Sequence, residues 1–206
     1  MYILSALILT IYFVIYGVVH SWLAGTSTKN WIRKTFGPSS DHWYRLAYNI
    51  FAGITLLPML VLMAVLPGKL LYVVPTPWAW LMVAGQMLAL LAAAITVIQT
   101  GAFHFLGLSQ LVDPQPAQTT ELNLRGFYTR VRHPLYTFSL LFLWLTPAMT
   151  TNSLIAYILF TLYFYFGSIY EERRMVAEYG QVYADYCKTV PRIIPIPGRR
   201  YIRQPQ

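Results

Sequence analysis

The apolar residues of this chain are grouped into long runs, and polar segments separate them. Five runs stand out, at residues 2–23, 43–66, 77–99, 134–149 and 153–170. A helix needs about 20 mostly apolar residues to cross a bilayer, and most of the runs reach that length. Because a bilayer offers no water to backbone N–H and C=O groups, each run is predicted to be helical. The pattern therefore predicts an all-α polytopic membrane protein with about five transmembrane helices.

The overall composition agrees with a membrane protein. Of the 206 residues, 57% are hydrophobic and only 11% are charged, which is too apolar for an ordinary soluble domain. We predict one integral-membrane domain over residues 1–206, with three spans in residues 1–100. Residues 101–206 then hold a long loop, a helical hairpin and a basic tail. The first run has no Lys or Arg before it and no small-residue cleavage pattern after it, so we predict a retained helix.

The Lys and Arg residues predict the orientation of the chain in the membrane. They are concentrated in the first loop, the third loop and the tail, whereas the second loop has only Lys69 and the fourth has none. Positively charged loops stay in the cytoplasm, so the N-terminus is expected outside and the C-terminus inside. The net charge of +8 then lies almost wholly on one membrane side, which favours anionic lipids over nucleic acid as the partner.

The loop between the third and fourth runs is unusually long and ends in a distinctive segment. It has about 35 residues, far more than an ordinary connection, and it is too apolar to be disordered. It ends in "GFYTRVRHPLY", where Gly126 suits a turn and Pro134 suits the first position of a helix capped by His133. The exposed N–H groups of that helix start predict a site for a carboxylate or phosphate.

The last two runs are predicted to form a helical hairpin. The short "TTN" turn folds the fifth run back against the fourth. Glu171 lies about 18 residues, or roughly 27 Å, along the fifth helix from Ser153, which returns it to the level of His133. No charged residue is predicted at the bilayer centre, so a transport pathway is not expected. Cys187 is the single cysteine, and no disulfide or metal site is predicted.

Motifs in the second half of the chain resemble a known enzyme family. "GFY", "RHPLY" and "EERRMVAEYGQVYADYCKTVPRIIP" occur in the order found in integral-membrane methyltransferases of the isoprenylcysteine carboxyl methyltransferase and phospholipid methyltransferase superfamily. Further segments, "HSWLA", "WYRLAYN", "FHFLGLSQLV" and "WLTPAMTTNSL", are similar to the bacterial methanethiol S-methyltransferases of that superfamily. The resemblance spans most of the chain.

The resemblance implies S-adenosylmethionine bound in a pocket at the cytoplasmic face of a multi-pass protein of a prokaryotic inner membrane. It implies catalytic roles for His133 and Glu171. The residues implied to bind the cofactor are Gln110, Thr120, Glu121, Leu122, Asn123, Gly126, Tyr128, His133, Pro134, Leu135, Tyr136 and Glu171.

The expected reaction is methyl transfer to a small or lipophilic acceptor, with a thiol favoured. Carboxyl methyltransferases of this family carry an arginine one helical turn before the first glutamate, where this chain has Gly167. A carboxyl or phospholipid methyltransferase stays open as an alternative. His133 and His104 are candidates to take the thiol proton.

Two hypotheses from other classes also remain. One is an NADPH-dependent membrane reductase, because sterol reductases share an "RHP" and Tyr segment. The other is a haem protein that uses His20 and His104.

Overall fold

The computed structural model describes residues 1–112, 122 and 124–201, and most of them are helical. The helices are α1 (Tyr2–Ala24), α2 (Thr26–Phe36), α3 (Ser40–Val65), α4 (Trp78–Gln99), α5 (Ala102–Leu106), α6 (Ser109–Val112), α7 (Pro134–Trp144), α8 (Thr151–Tyr179) and α9 (Gln181–Thr189). A 3₁₀ helix covers Gly126–Thr129, and two short strands are β1 (Leu70–Val73) and β2 (Ala148–Thr150).

Four helices, α1, α3, α4 and α8, are long and apolar enough to cross a membrane. Their side chains face outward: only 6% of the most apolar part of α3 is buried within the chain. The predicted all-α polytopic class is therefore confirmed. The fourth predicted run is different, because its helix α7 has 11 residues and a length of about 16 Å. The run continues beyond α7 into strand β2 instead of completing one long helix.

The two strands form an antiparallel ribbon that the apolar pattern did not predict. Leu70 pairs with Thr150, and Val73 pairs with Ala148. The Oγ1 hydroxyl of Thr150 accepts a hydrogen bond from the Ser153 N–H at 3.2 Å, in the manner of an N-cap. The predicted "TTN" turn is therefore the end of a strand followed directly by the start of α8.

The chain divides into two compact units. The first contains residues 1–73, 101–118 and 148–159, and the second contains residues 74–100, 119–147 and 160–206. In the first unit the Tyr12 hydroxyl on α1 donates to the Thr55 carbonyl on α3 at 2.6 Å, and Leu9 and Met59 are buried. This unit also carries α5 and α6, which pack against α3.

The contact of the α5–α6 turn with α3 depends on a glycine. Gly107 has φ +89°, and an added Cβ would lie 2.5 Å from the Leu46 backbone nitrogen. We expect Gly107→Ala to lower the free energy of unfolding by about 2 kcal/mol or more, because backbone on both sides of the contact must move. Gly53→Ala on α3 is the matched control. No atom lies within 4 Å of its added Cβ, so stability should stay level or rise. Equal unfolding free energies for the two variants would contradict this account.

In the second unit α4 packs against α7. An added Cβ at Gly85 would lie 2.8 Å from Leu145 Cδ1, so the absence of a side chain lets the two helices approach closely. The Gln86 amide donates to the Phe142 carbonyl at 2.9 Å. This packing holds the end of α7 against α4, whereas the predicted site residues lie at its start. Beside it, α9 contributes Tyr183 and Tyr186, which form a buried cluster with Val190.

Candidate active site

Glu172 on α8 is the most heavily bonded side chain of the second unit. Its Oε1 accepts from Arg132 Nε at 2.7 Å, and its Oε2 accepts from Arg192 Nη2 at 2.7 Å. The Arg132 and Glu172 side chains are each only 9% exposed. Arg132 also donates to the carbonyls of Cys187 and Val190. Glu172 therefore joins the segment before α7 to the C-terminal tail, and its oxygens are already used within the protein.

His133 lies between two carboxylates. Its Nε2 is 3.1 Å from Glu172 Oε1, and its Nδ1 is 3.4 Å from Glu171 Oε2. Ionised carboxylates only accept hydrogen bonds, so both ring nitrogens must carry protons to make both contacts. Burial alone would lower the pKa of His133, but the hydrogen bonds and charges of Glu171 and Glu172 outweigh it and raise the pKa. The contacts therefore favour a positioning role for His133 over proton acceptance.

The raised His133 pKa predicts a pH dependence of stability. The stabilising contribution of the imidazolium is complete below its unfolded pKa of about 6.5 and is lost as pH rises through the folded pKa. We expect thermal unfolding of the wild type to shift to lower temperature as pH rises from about 6.5 into the alkaline range. His133→Gln should lose that part of the slope. Parallel pH curves for the two proteins would contradict the assignment.

Tyr136 is the central ring of an aromatic column, a stack of three nearly parallel rings. Its ring is stacked on His133 at a centroid distance of 5.3 Å and on Phe164 at 4.9 Å, both with an interplanar angle of 7°. The Tyr136 hydroxyl donates to Glu171 Oε2 at 3.0 Å. The Glu171 side chain is 41% exposed, and its Oε1 accepts no hydrogen bond from the described residues. An accessible carboxylate oxygen therefore lies beside an ordered aromatic ring.

The start of α7 is held by the C-terminal tail. The N–H groups of Arg132 and His133 donate to the carbonyls of Pro191 and Arg192 at 2.9 and 3.0 Å. Pro134 is buried in the first turn, and the first helical hydrogen bond runs from Thr137 N–H to the His133 carbonyl at 3.0 Å. The N–H group of Leu135, in the first turn, therefore has no acceptor within the helix.

Tyr128 lies near the same carboxylates. Burial and the negative charge of Glu171 raise the pKa of Tyr128 to about 12. Its carbonyl accepts a hydrogen bond from the buried Tyr186 hydroxyl at 2.6 Å. Gly126, two residues earlier, has φ +60°, and an added Cβ would lie 2.5 Å from the Gln99 amide nitrogen. The turn before α7 therefore requires a glycine, as the sequence predicted.

The structure brings together the predicted site residues Gly126, Tyr128, His133, Pro134, Leu135, Tyr136 and Glu171 in the second unit. Leu122 is half-buried against the tyrosine cluster of α9. Gln110 belongs to the first unit, where its amide nitrogen lies 3.0 Å from His104 Nδ1. The predicted residues Thr120, Glu121 and Asn123 lie outside the described part of the chain.

Some residues of this arrangement were not predicted as site residues. Glu172, Arg132 and Arg192 form its buried ionic centre, and Phe164 completes the aromatic column. The "RHP", "EE" and "PR" segments could have predicted these contacts. Two adjacent carboxylates near a membrane require cations close by, and the arginines of the other two segments are candidates.

The candidate haem ligands make other contacts. His20 Nε2 lies 2.8 Å from the Tyr48 hydroxyl, and His104 Nε2 lies 3.0 Å from Arg45 Nη1. With Gln110 on its other nitrogen, His104 has neither nitrogen available for iron in this conformation. Within residues 1–112, 122 and 124–201, no three His, Cys, Asp or Glu side chains are grouped as metal ligands.

Sequence comparison relates the chain to several curated bacterial proteins. It is 34% identical over 134 residues to methanethiol S-methyltransferase 2 of Bradyrhizobium diazoefficiens, which is 59% of this chain and 51% of that protein. Methanethiol S-methyltransferases of Crocosphaera subtropica and Pseudomonas deceptionensis are 29% and 28% identical over 90% and 93% of this chain. In each case 73% of the relative is covered. The chain is a homologue of methanethiol S-methyltransferases.

The predicted resemblance to this group of membrane methyltransferases is thereby confirmed. The matched region spans about half the length of the Bradyrhizobium diazoefficiens homologue. No family model matches the chain, and no solved structure matches it.

Proposed function

We propose that this protein transfers a methyl group from S-adenosylmethionine to a small or membrane-soluble thiol. The observation that carries the proposal is the partly exposed Glu171 carboxylate beside the start of α7, in a chain whose homologues are named for methanethiol methylation. A methyltransferase must hold a cationic donor close to its acceptor. A carboxylate suits a cationic ligand.

The donor groups of the site fit the polar groups of S-adenosylmethionine. Glu171 Oε1 is open to accept a hydrogen bond from a hydroxyl or ammonium group. The N–H group of Leu135, at the start of an 11-residue helix, would hold a carboxylate. The Tyr128 ring would face the sulfonium or the adenine. We do not expect Glu172 to contact the ligand, because its oxygens already accept hydrogen bonds from Arg132, His133 and Arg192.

The chemistry requires alignment more than it requires a catalytic base. When bound, S-adenosylmethionine would supply an electrophilic methyl group to the thiolate form of the acceptor, whose proton passes to solvent water, with S-adenosylhomocysteine as the leaving group. The protein residues would orient the acceptor and exclude water from it. His133 would hold Glu171 and Tyr136 in place, because both of its nitrogens already face carboxylates.

The absence of a side chain at position 167 supports a thiol over a carboxylate acceptor. Gly167 lies on α8 one helical turn before Glu171, and nothing lies within 4 Å of an added Cβ. No cation is therefore supplied at this position to neutralise a substrate carboxylate. A carboxylate must be buried as an anion, which is costly without a cation partner, whereas a thiol can enter uncharged and lose its proton beside the cationic donor.

The charge distribution supports a cytoplasmic site. Basic residues lie on α2, in the segment before α7 and in the tail after α8, whereas Lys69 is the single basic residue between α3 and α4. The positive-inside rule then assigns the start of α7 and the end of α8 to the cytoplasmic side. S-adenosylmethionine would therefore enter from the cytoplasm.

The test is transfer of radiolabelled methyl groups by the purified protein in lipid nanodiscs. Methanethiol, a long-chain alkanethiol, farnesylcysteine and phosphatidylethanolamine are offered separately, and volatile and lipid-extractable label are both counted. We expect label in the thioether products. Label that enters only the carboxyl ester or the lipid amine would contradict the thiol assignment.

A further inference from the structure

A cleft separate from Glu171 lies between the turn before α7 and the C-terminal tail. It has a volume of about 270 Å³ and is lined by Arg130, Pro195, Ile196, Pro197 and Arg199. The tail is fixed at this place, because the Tyr201 N–H donates to the Thr129 carbonyl at 2.8 Å. The Arg199 N–H closes the intervening turn on the Ile196 carbonyl at 3.1 Å. Backbone hydrogen bonds therefore hold the segments that form the cleft.

Two guanidinium groups line this cleft, and no carboxylate of the described residues does. Among residues 1–112, 122 and 124–201, neither Arg130 nor Arg199 makes a side-chain hydrogen bond or an ion pair. Arg132 and Arg192 differ, because both form ion pairs with Glu172. Guanidinium groups match phosphate oxygens in geometry and charge, so a phosphate group is the ligand that this pair fits.

The apolar residues beside the arginines favour a lipid as the source of the phosphate. Ile194 is 77% exposed and Ile196 is 45% exposed, next to the cationic lining. The tail that carries them is bonded to the first turn of α7, where the Thr137 hydroxyl donates to the Ile193 carbonyl at 2.6 Å. Exposed aliphatic and basic side chains on one segment are typical of a membrane interface. A free phosphate ion would leave both isoleucines in water.

We infer that the cleft between Arg130 and Arg199 binds the phosphate headgroup of an anionic phospholipid, with Ile194 and Ile196 against the adjoining lipid. The site does not depend on the methyltransferase assignment. A bound lipid would stabilise the C-terminal tail. In that tail the Arg192 side chain binds Glu172, and the Arg192 carbonyl accepts from the start of α7.

The test is native mass spectrometry of the protein in detergent, titrated with phosphatidylglycerol. Each basic residue near a lipid surface contributes about a factor of five in affinity, so Arg130→Gln combined with Arg199→Gln should weaken the tightest lipid binding about thirtyfold. Lys34→Gln combined with Arg173→Gln removes the same charge away from the cleft and should bind like the wild type. The Arg130→Lys and Arg199→Lys double variant should recover most of the affinity.

Each alternative outcome counts against the lipid site. Wild-type affinity in the Arg130→Gln and Arg199→Gln variant would overturn it, provided that the variant unfolds at the wild-type temperature. Equal loss in the control variant would show a general charge effect. Equal binding of phosphatidylcholine would exclude recognition of an anionic lipid. Displacement of phosphatidylglycerol by millimolar inorganic phosphate would identify a free-phosphate site instead.

Discussion

Glu172→Gln is expected to lower the free energy of unfolding by about 3–5 kcal/mol. The substitution keeps the size of the side chain but removes the negative charge that Arg132, His133 and Arg192 share. Arg132 is nearly buried, so its charge would then lie in a poorly solvated place without a counter-ion. Unfolding by denaturant in mixed micelles measures the change.

Two further variants show whether the Glu172 effect arises from its buried ionic contacts. Glu172→Asp keeps the charge and should recover part of the loss. Asp185→Asn removes a carboxylate that pairs with Lys188 at 2.8 Å on the exposed surface of α9, and it should leave stability unchanged. If Glu172→Gln were as stable as Asp185→Asn, the buried ionic centre would not hold the tail to α7 and α8.

Glu171→Gln is expected to weaken S-adenosylmethionine binding about tenfold to a hundredfold, the usual value of a charge-assisted hydrogen bond. The Glu172 contacts remain and the amide oxygen can still accept from Tyr136 and His133, so this variant should lose much less stability than Glu172→Gln. That combination distinguishes a ligand-binding carboxylate from a structural one. Isothermal titration with S-adenosylmethionine measures the affinity, and circular dichroism melting measures the stability.

Tyr136 variants separate its ring from its hydroxyl group. Tyr136→Phe removes the hydrogen bond to Glu171 but keeps the stack on His133 and Phe164, so affinity should fall only severalfold. Tyr136→Leu also removes the stacked ring between His133 and Phe164, which holds Glu171 and His133 in place, and should cost about a further tenfold. Identical affinities for Tyr136→Phe and Tyr136→Leu would show that the stacked rings do not order the site.

The apolar pattern located the helices well because membrane helices are long and their signal is local. The same pattern overextended the fourth helix, since Ala148 and Met149 belong to the apolar run but pair with Val73 and Tyr72. A four-residue strand whose partner lies far away along the chain leaves no local signature. Periodicity therefore could not separate α7 from β2.

The sequence predicted that a glutamate would meet the start of α7, and the contact between Glu171 and His133 confirms that placement. It could not separate the functions of Glu171 and Glu172. Adjacent helical residues point in directions about 100° apart, and only their partners show which one is exposed. Glu172 is paired with Arg132 and Arg192, which lie 60 residues apart in the sequence. Sequence position alone therefore could not identify these partners.

The most direct test is an experimental structure of this protein with S-adenosylhomocysteine, the product of the proposed reaction. We expect the ligand beside Glu171, with a polar group on Glu171 Oε1 and its carboxylate near the N–H group of Leu135. A ligand bound at any other place in the chain, or no binding at saturating concentration, would contradict the proposed site.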